Sequence, residues 1–266
     1  VGAAVKNNEG EWVLLNGNQT ALMFVYYLIT RWKELGKING KEYIVKTIVT
    51  TETIKTIAER NGVEMYDVYT GFKWIANVMR ENEGKKNYIG GGEESYGFLC
   101  EDFVRDKDAV SACVILAEIA AWAKDQGLSL YQLLQKIYVE YGFSKEKGIS
   151  VVKKGKSGAE EIEAMMKKFR ENPLTEIAGS KVTYFYDYST LKGKDYAENE
   201  TVTLDMPTTS NVLQYFTEDN TKVSIRPSGT EPKIKFYCEV HSKVKSIDEL
   251  PEAEKAAEEK INQIKA

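Results

Sequence analysis

Along the first half of the chain, short β-branched runs alternate with segments whose apolar residues recur every three or four positions. Thr20–Glu34 is apolar almost all round, with Leu22, Phe24, Val25, Leu28 and Ile29, which predicts a buried helix. After Gly36 and Gly40 a strand is expected at Tyr43–Val49. A helix follows with Ile54, Ile57 and Ala58 on one face, stopped by Asn61-Gly62, and Val63–Tyr69 reads as the next strand. Gly71 then leads into a helix whose core positions are Ile75, Val78 and Met79. A short strand, Tyr88–Ile89, is expected to end in Gly90-Gly91-Gly92, and helices Ala109–Lys124 and Leu130–Tyr141 flank Gly127. Ahead of these, Val1–Val5 and Trp12–Leu15 flank Asn7-Asn8-Glu9-Gly10 and read as a β-hairpin. An isolated hairpin is marginal in water, so a segment upstream of Val1 is expected.

From Gly142 the texture changes. A strand (Ile149–Val152) and a helix (Ala159–Arg170) precede strands at Val182–Tyr186, Val202–Leu204, Val212–Phe216, Val223–Ile225 and Ile234–Val240. A polar helix from about Asp248, with Pro251 in its first turn, closes the chain. Strand–helix alternation to Tyr141 predicts an α/β layer with mainly parallel pairing, and the remainder predicts α+β. The 266 residues suffice for two such domains, with a boundary near residue 142.

Composition narrows the chemistry. A net charge of −4 gives no global pull toward nucleic acid or acidic membranes, so an anion site has to be built locally. The longest apolar run, Ala21–Ile29, is far shorter than the roughly 20 residues of a membrane span. Cys100, Cys113 and Cys238 have no framework spacing and the N-terminus has no signal-peptide pattern, so a cytoplasmic setting is expected. His241 is the only histidine, three residues after Cys238; with no second histidine, neither a histidine-based metal centre nor a Ser-His-Asp triad has convincing parts. The aromatic patches Tyr26–Tyr27 and Tyr184–Tyr188 are expected in helix and strand cores rather than as base-stacking platforms.

Two loops carry the sharper signals. In Arg226-Pro227-Ser228-Gly229-Thr230-Glu231-Pro232-Lys233-Ile234-Lys235, the prolines stiffen a turn and Gly229 lets the backbone approach a ligand. Ser228 and Thr230 supply hydroxyls, successive N–H groups can form an anion-binding concavity, and Arg226 can grip two phosphate oxygens. Lys233 and Lys235 would share a strand face, with Lys235 ranked the closer phosphate neighbour. The bland alternative is a tight turn beside an edge strand whose lysines discourage aggregation. In Gly90–Gly97, Glu93, Glu94 and Ser95 sit among glycines beyond the end of a strand, a place where α/β sheets bind ligands. Carboxylates accept from vicinal hydroxyls and Ser95 can donate or accept; a solvated acidic turn is the alternative. Two adjacent carboxylates alone make a poor metal cage. Lys73, in Thr70-Gly71-Phe72-Lys73, could meet an anion or handle a proton, or simply be a solvated first-turn residue. Arg105-Asp106-Lys107-Asp108 reads as a helix N-terminal charge cluster.

Taken together, Gly92-Glu93-Glu94-Ser95-Tyr96-Gly97 and Arg226-Pro227-Ser228-Gly229-Thr230-Glu231-Pro232 resemble, in order and spacing, the sugar-binding and phosphate-binding loops of the α-D-phosphohexomutase superfamily, in its phosphoglucomutase/phosphomannomutase branch. The 70–73 and 105–108 segments also fit. The resemblance implies that residues 1–18 are the tail of metal-binding domain 2, 19–141 the mixed α/β/α sugar-binding domain 3, and 142–266 the α+β phosphate-binding domain 4. It implies an interconversion of hexose 1-phosphate and hexose 6-phosphate through a phosphoserine and glucose 1,6-bisphosphate, with Mg²⁺ in the intact enzyme. The family's Ser-His and Asp-x-Asp-x-Asp-Arg loops are not in this sequence, so the resemblance implies missing N-terminal domains 1 and 2 and a chain inactive alone. Glu93 and Ser95 would hold the 3- and 4-hydroxyls, while Arg226, Ser228, Gly229, Thr230 and Lys235 would hold the idle phosphate. Lys73 would act near the transferred group. A stand-alone sugar-phosphate-binding module and a phosphopentomutase or phosphoglucosamine mutase relative are the competing readings.

Overall fold

A computed structural model describes residues 1–153, 155–229 and 231–266. They form two units, residues 1–143 with 243–250 and residues 144–242 with 251–266.

In the first unit, β1 (Ala3–Lys6) and β2 (Trp12–Leu15) make the expected antiparallel hairpin as a sheet of their own. Helix α1 (Gly17–Glu34) begins before its apolar run does, because Asn16 caps it. The Asn16 side chain accepts from the Gln19 N–H and the Gln19 side chain accepts from the Asn16 N–H, both at 2.9 Å. There follow β3 (Glu42–Thr47), α2 (Thr53–Arg60), β4 (Glu64–Val68), α3 (Phe72–Asn82), β5 (Asn87–Gly92), β6 (Phe98–Cys100), α4 (Ala109–Asp125) and α5 (Leu130–Tyr141). The sheet order is β4-β3-β5-β6, with β4 and β5 parallel to β3 and β6 antiparallel to β5. Alternation along the strands sends Tyr43, Val45, Tyr88 and Leu99 to α3, which meets them with Phe72, Ile75, Val78 and Met79. The opposite face receives α1, where Phe24 stacks on Phe98 at 4.5 Å. Tyr26 and Tyr27 are buried in this layer and pack on Trp122.

One expectation is corrected here. The strand expected to stop at Ile89 runs through all three glycines, because Gly90, Gly91 and Gly92 pair with Ile44, Val45 and Lys46 on one side and with β6 on the other. A Cβ on Gly91 would lie 2.4 Å from the Val45 carbonyl oxygen, and one on Gly92 2.6 Å from that of Gly97. Close backbone approach, not loop flexibility, is what these glycines serve.

The second unit contains, from Ser144 onward, β7 (Phe143–Val152), then α6 (Gly155–Glu171), β8 (Glu176–Ile177), β9 (Ser180–Asp187), β10 (Lys192–Asp195), β11 (Glu200–Thr203), β12 (Leu213–Thr217), β13 (Lys222–Pro227), β14 (Lys233–Ser242) and, from Pro251 onward, α7 (Leu250–Lys265). The sheet order is β11-β10-β9-β12-β13-β14-β7, with β8 beside β9. Strand β7 starts well before Ile149, in a run too polar to read as strand. Lys145 bridges to Glu254 and Glu258 of α7, and Lys147 to Glu258, which accounts for that polarity. One sheet face buries Phe185, Leu213, Tyr215, Val223 and Ile225, and the Tyr215 hydroxyl donates to the Phe169 carbonyl of α6 at 3.2 Å. Tyr188 is buried with its hydroxyl on Gln214, whereas Tyr184 and Tyr186 form a half-buried ring ladder with Phe216. Among the described residues no helix is long and apolar enough to cross a membrane.

The other face holds a buried charged rung. Lys222 and Glu239 stand opposite each other on β13 and β14, 2.8 Å apart, and His241 Nε2 lies 2.7 Å from the second Glu239 oxygen. Burial raises the Glu239 pKa, but Lys222 and His241 outweigh it and hold the carboxyl far below the usual range. Burial disfavours the imidazolium, yet the charge and hydrogen bond of Glu239, with Glu146 more distantly, raise His241 above 6.5. A raised folded-state pKa means that His241 contributes stability fully present below pH 6.5 and lost as pH climbs through the folded value. Urea titrations of the chain and of His241→Gln from pH 6 upward are expected to show wild-type stability declining while the variant stays flat. Parallel profiles would remove the imidazolium from the account.

Candidate functional site

Because β4, β3 and β5 are parallel, their carboxyl ends share one edge, and three loops meet there: residues 48–52, 69–71 and 93–97. Their backbone groups need partners, and buried side chains supply them. Glu93, 8% exposed, accepts from the Gly71 N–H at 2.8 Å, and its own N–H donates to the Gly97 carbonyl at 2.8 Å. Gly71 has φ of 112°, a conformation that glycine adopts without strain. Glu93 thus ties the 93–97 loop to the start of α3, where Lys73 is exposed with its ammonium 5.0 Å from the Trp74 ring centre. Lys73 lines an open hollow with Asn77, Arg80 and Arg105. Ser95 is exposed, and Tyr96 beside it has φ of 72°. Asp108 caps α4 by accepting from the Ser111 N–H at 2.7 Å, as the 105–108 charge cluster predicts.

Sequence reasoning passed over the partners that hold this edge. Glu94 is turned inward: its N–H donates to Thr50 Oγ1 at 3.2 Å, and its carboxylate accepts from Thr47 Oγ1 at 3.4 Å. Gly17 lets the first turn of α1 press against the loop, since a Cβ there would overlap the Glu94 carbonyl at 1.8 Å. The run Thr47-Ile48-Val49-Thr50-Thr51, hydroxyls directly after a β-branched strand, was the signal available for them.

In the second unit, the β13–β14 turn carries the other set. Arg226 stands opposite Lys235, with Pro227 opposite Ile234. Residues directly opposite share a face, so guanidinium and ammonium are neighbours, and like charges there are destabilising. Neither is within ion-pair distance of a carboxylate among the described residues, although the charge of Lys235 is felt at Glu231, whose pKa is lowered first by Lys233 and then by Lys235. Lys233 is engaged with Glu231, as ion pair and through its N–H to the Glu231 carbonyl at 2.7 Å. The Ser228 N–H closes the turn on the Lys233 carbonyl at 2.8 Å and so is not free to join an anion cradle; the Ser228 hydroxyl accepts from the Glu231 N–H at 3.3 Å. Gly229 is exposed, has an ordinary φ, and a Cβ there would meet nothing within 4 Å. The turn itself does not demand glycine, and the space beside it is open among the described residues. Thr230 lies outside the described residues.

Two sequence-family models match the chain in order. Residues 16–141 match the phosphoglucomutase/phosphomannomutase α/β/α domain III, and residues 150–257 match the C-terminal domain of the same family. Phosphoglucomutase of Staphylococcus aureus strain MRSA252 is 37% identical over 237 residues, which is 89% of this chain and 42% of that protein. Its counterpart in Staphylococcus haemolyticus is 32% identical over 241 residues, 91% of this chain and 43% of that one. The chain therefore spans about two fifths of the length of these curated relatives. Among solved structures, pp63/parafusin of Paramecium (TM-score 0.57, 16% identity) is covered to 43% and covers 98% of this chain. A putative phosphomannomutase of Thermus thermophilus (TM-score 0.57, 18% identity) covers 96% of this chain and is itself covered to 43%. These two show a shared fold. With both of its units matched in order, the chain belongs to the phosphoglucomutase/phosphomannomutase family and carries that family's domain III and C-terminal domain.

Proposed function

We propose that the chain is the sugar- and phosphate-holding part of a mutase that interconverts hexose 1-phosphate and hexose 6-phosphate. One observation carries this reading: Arg226 and Lys235 share one rung without an ion-pair partner among the described residues, and a phosphate dianion relieves their repulsion. In this reading residues 1–18 are the tail of domain 2, 19–141 are domain 3 and 142–266 are domain 4. Arg226 grips two phosphate oxygens through its fork and Lys235 adds a point charge. The Ser228 hydroxyl, the Thr230 hydroxyl that the sequence supplies, and the open space beside Gly229 complete the cradle in this reading. Glu93 and Ser95 hold the 3- and 4-hydroxyls, which present similar edges when glucose 1,6-bisphosphate turns over in the site. Lys73 supplies positive charge, or a proton, near the transferring group. Phosphoryl transfer rests mostly on positioning and charge stabilisation, so these groups set orientation rather than form bonds.

Mg²⁺, which the family resemblance implies, does not fit the residues present: among those described, no three His, Cys, Asp or Glu side chains gather to hold a metal ion. The family's nucleophilic serine loop is likewise not in this sequence. Ligand binding without turnover is the expected behaviour of the chain alone.

Calorimetric titration with glucose 1,6-bisphosphate is expected to show saturable binding that Arg226→Ala weakens by about 2–5 kcal/mol. Unchanged affinity in that variant would take the phosphate loop out of the reading. Lys235→Gln is expected to raise the unliganded chain's stability by about 0.2–1 kcal/mol while lowering bisphosphate affinity. A variant that moves both in the same direction would count against an unrelieved cationic rung. At the other loop, Glu93→Gln keeps an acceptor for the Gly71 N–H and Glu93→Ala does not. The alanine variant is expected to lose about 1–3 kcal/mol of stability in thermal unfolding. The glutamine variant should unfold like wild type and bind the sugar phosphate more weakly; equal affinity would leave Glu93 a purely structural group.

A further inference from the structure

Building on the hydroxyl-reading role assigned to the 93–97 loop, we propose that Thr50 is its positioning residue, acting through a closed ring of hydrogen bonds with Thr47 and Glu94. Thr50 is fully buried, and its Oγ1 lies 2.8 Å from Thr47 Oγ1. A hydroxyl has one proton to give. Thr47 gives its proton to Glu94 Oε2 at 3.4 Å, so across the threonine pair Thr50 is the donor. The Glu94 N–H then donates back to Thr50 Oγ1 at 3.2 Å. Within the ring each hydroxyl gives one bond and takes one, an arrangement in which successive bonds polarise one another.

The ring fixes both the backbone and the side chain of Glu94, the residue between Glu93 and Ser95. Glu93 is separately held by the Gly71 N–H, so the loop is fastened at two adjacent residues and Ser95 is the first one free to face outward. Thr50 is itself immobilised. Its N–H donates to the Thr47 carbonyl at 2.9 Å, and its carbonyl accepts from Lys46 Nζ at 3.5 Å. Lys46, 1% exposed, is clamped between Asp67 at 2.6 Å and Glu52 at 2.9 Å, which ties it to β4 and to the start of α2. The next residue, Thr51, donates its N–H to Asn18 Oδ1 at 3.0 Å and so fastens the same loop to α1. Thr50 is therefore where the sheet, two helices and the hydroxyl-reading loop are brought into register.

Thr50→Val keeps the shape and removes the oxygen, whereas Thr50→Ser keeps the oxygen. In the full chain without ligand, Thr50→Val is expected to speed amide exchange at residues 93–97 at least about tenfold, the loss of one net hydrogen bond. Glucose 1,6-bisphosphate should bind about tenfold more weakly, while inorganic phosphate, read at the β13–β14 turn, should bind as in wild type. Thr50→Ser should restore both. Thr47→Val breaks the ring at another link and serves as the second variant if Thr50→Val does not fold. Wild-type exchange and affinity in the valine variants would overturn the proposal, and so would failure of Thr50→Ser to rescue. If wild type binds no bisphosphate, the hydroxyl-reading role falls, and the exchange measurement alone still decides whether Thr50 sets the loop.

Discussion

Parallel strands place successive loops on one edge of a sheet, and the backbone groups of those loops need partners there. In the first unit this constraint is met by side chains rather than by solvent. Glu93 satisfies Gly71, Thr50 satisfies Glu94, and Asn18 satisfies Thr51. Both carboxylates of the acidic loop are thereby drawn inward, and Ser95 and Lys73, in the first turn of α3, are left exposed beside them. A loop that looks flexible and acidic in composition is a fastened one.

The second unit treats charge in two ways on one sheet face. Positions 222, 224 and 226 of β13 alternate onto the face that also carries 239, 237 and 235 of β14. At the inner rung Lys222 meets Glu239, because two charges at 2–3% exposure cannot be left unpaired. At the outer rung, where water still reaches, Arg226 meets Lys235. The same geometry neutralises itself where desolvation is complete and keeps its charge where water can solvate it.

Much of this was legible in the sequence. Helical periodicity placed α2, α3 and α5 to within a few residues, because their core positions recur at helical spacing between clear stop signals. Parity puts Lys233 and Lys235 on one strand face and does not separate them; the structure pairs Lys233 with Glu231 and sets Lys235 opposite Arg226. Other features were not legible. Gly90–Gly92 read as a loop because no local signal shows that Val45 and Gly97 leave no room for a side chain. Strand β6 is three residues long and β8 two, too short for any period to register. Strand β7 hid its first half in lysines whose partners are more than 100 residues away on α7. The Thr47–Thr50 support escaped notice because its meaning depends on Glu94, which only the parallel pairing brings near.

The doubly fastened loop also bears on how fast a ligand could be captured. Ordering a backbone residue costs about 1–2 kcal/mol in lost conformational freedom. For Glu93 and Glu94 that loss is incurred when the unit folds, and would not be incurred again on binding. Under the proposed sugar-holding role, a preorganised surface of this kind would need no rearrangement before productive contact, and residence time, rather than capture, would distinguish one hydroxyl pattern from another.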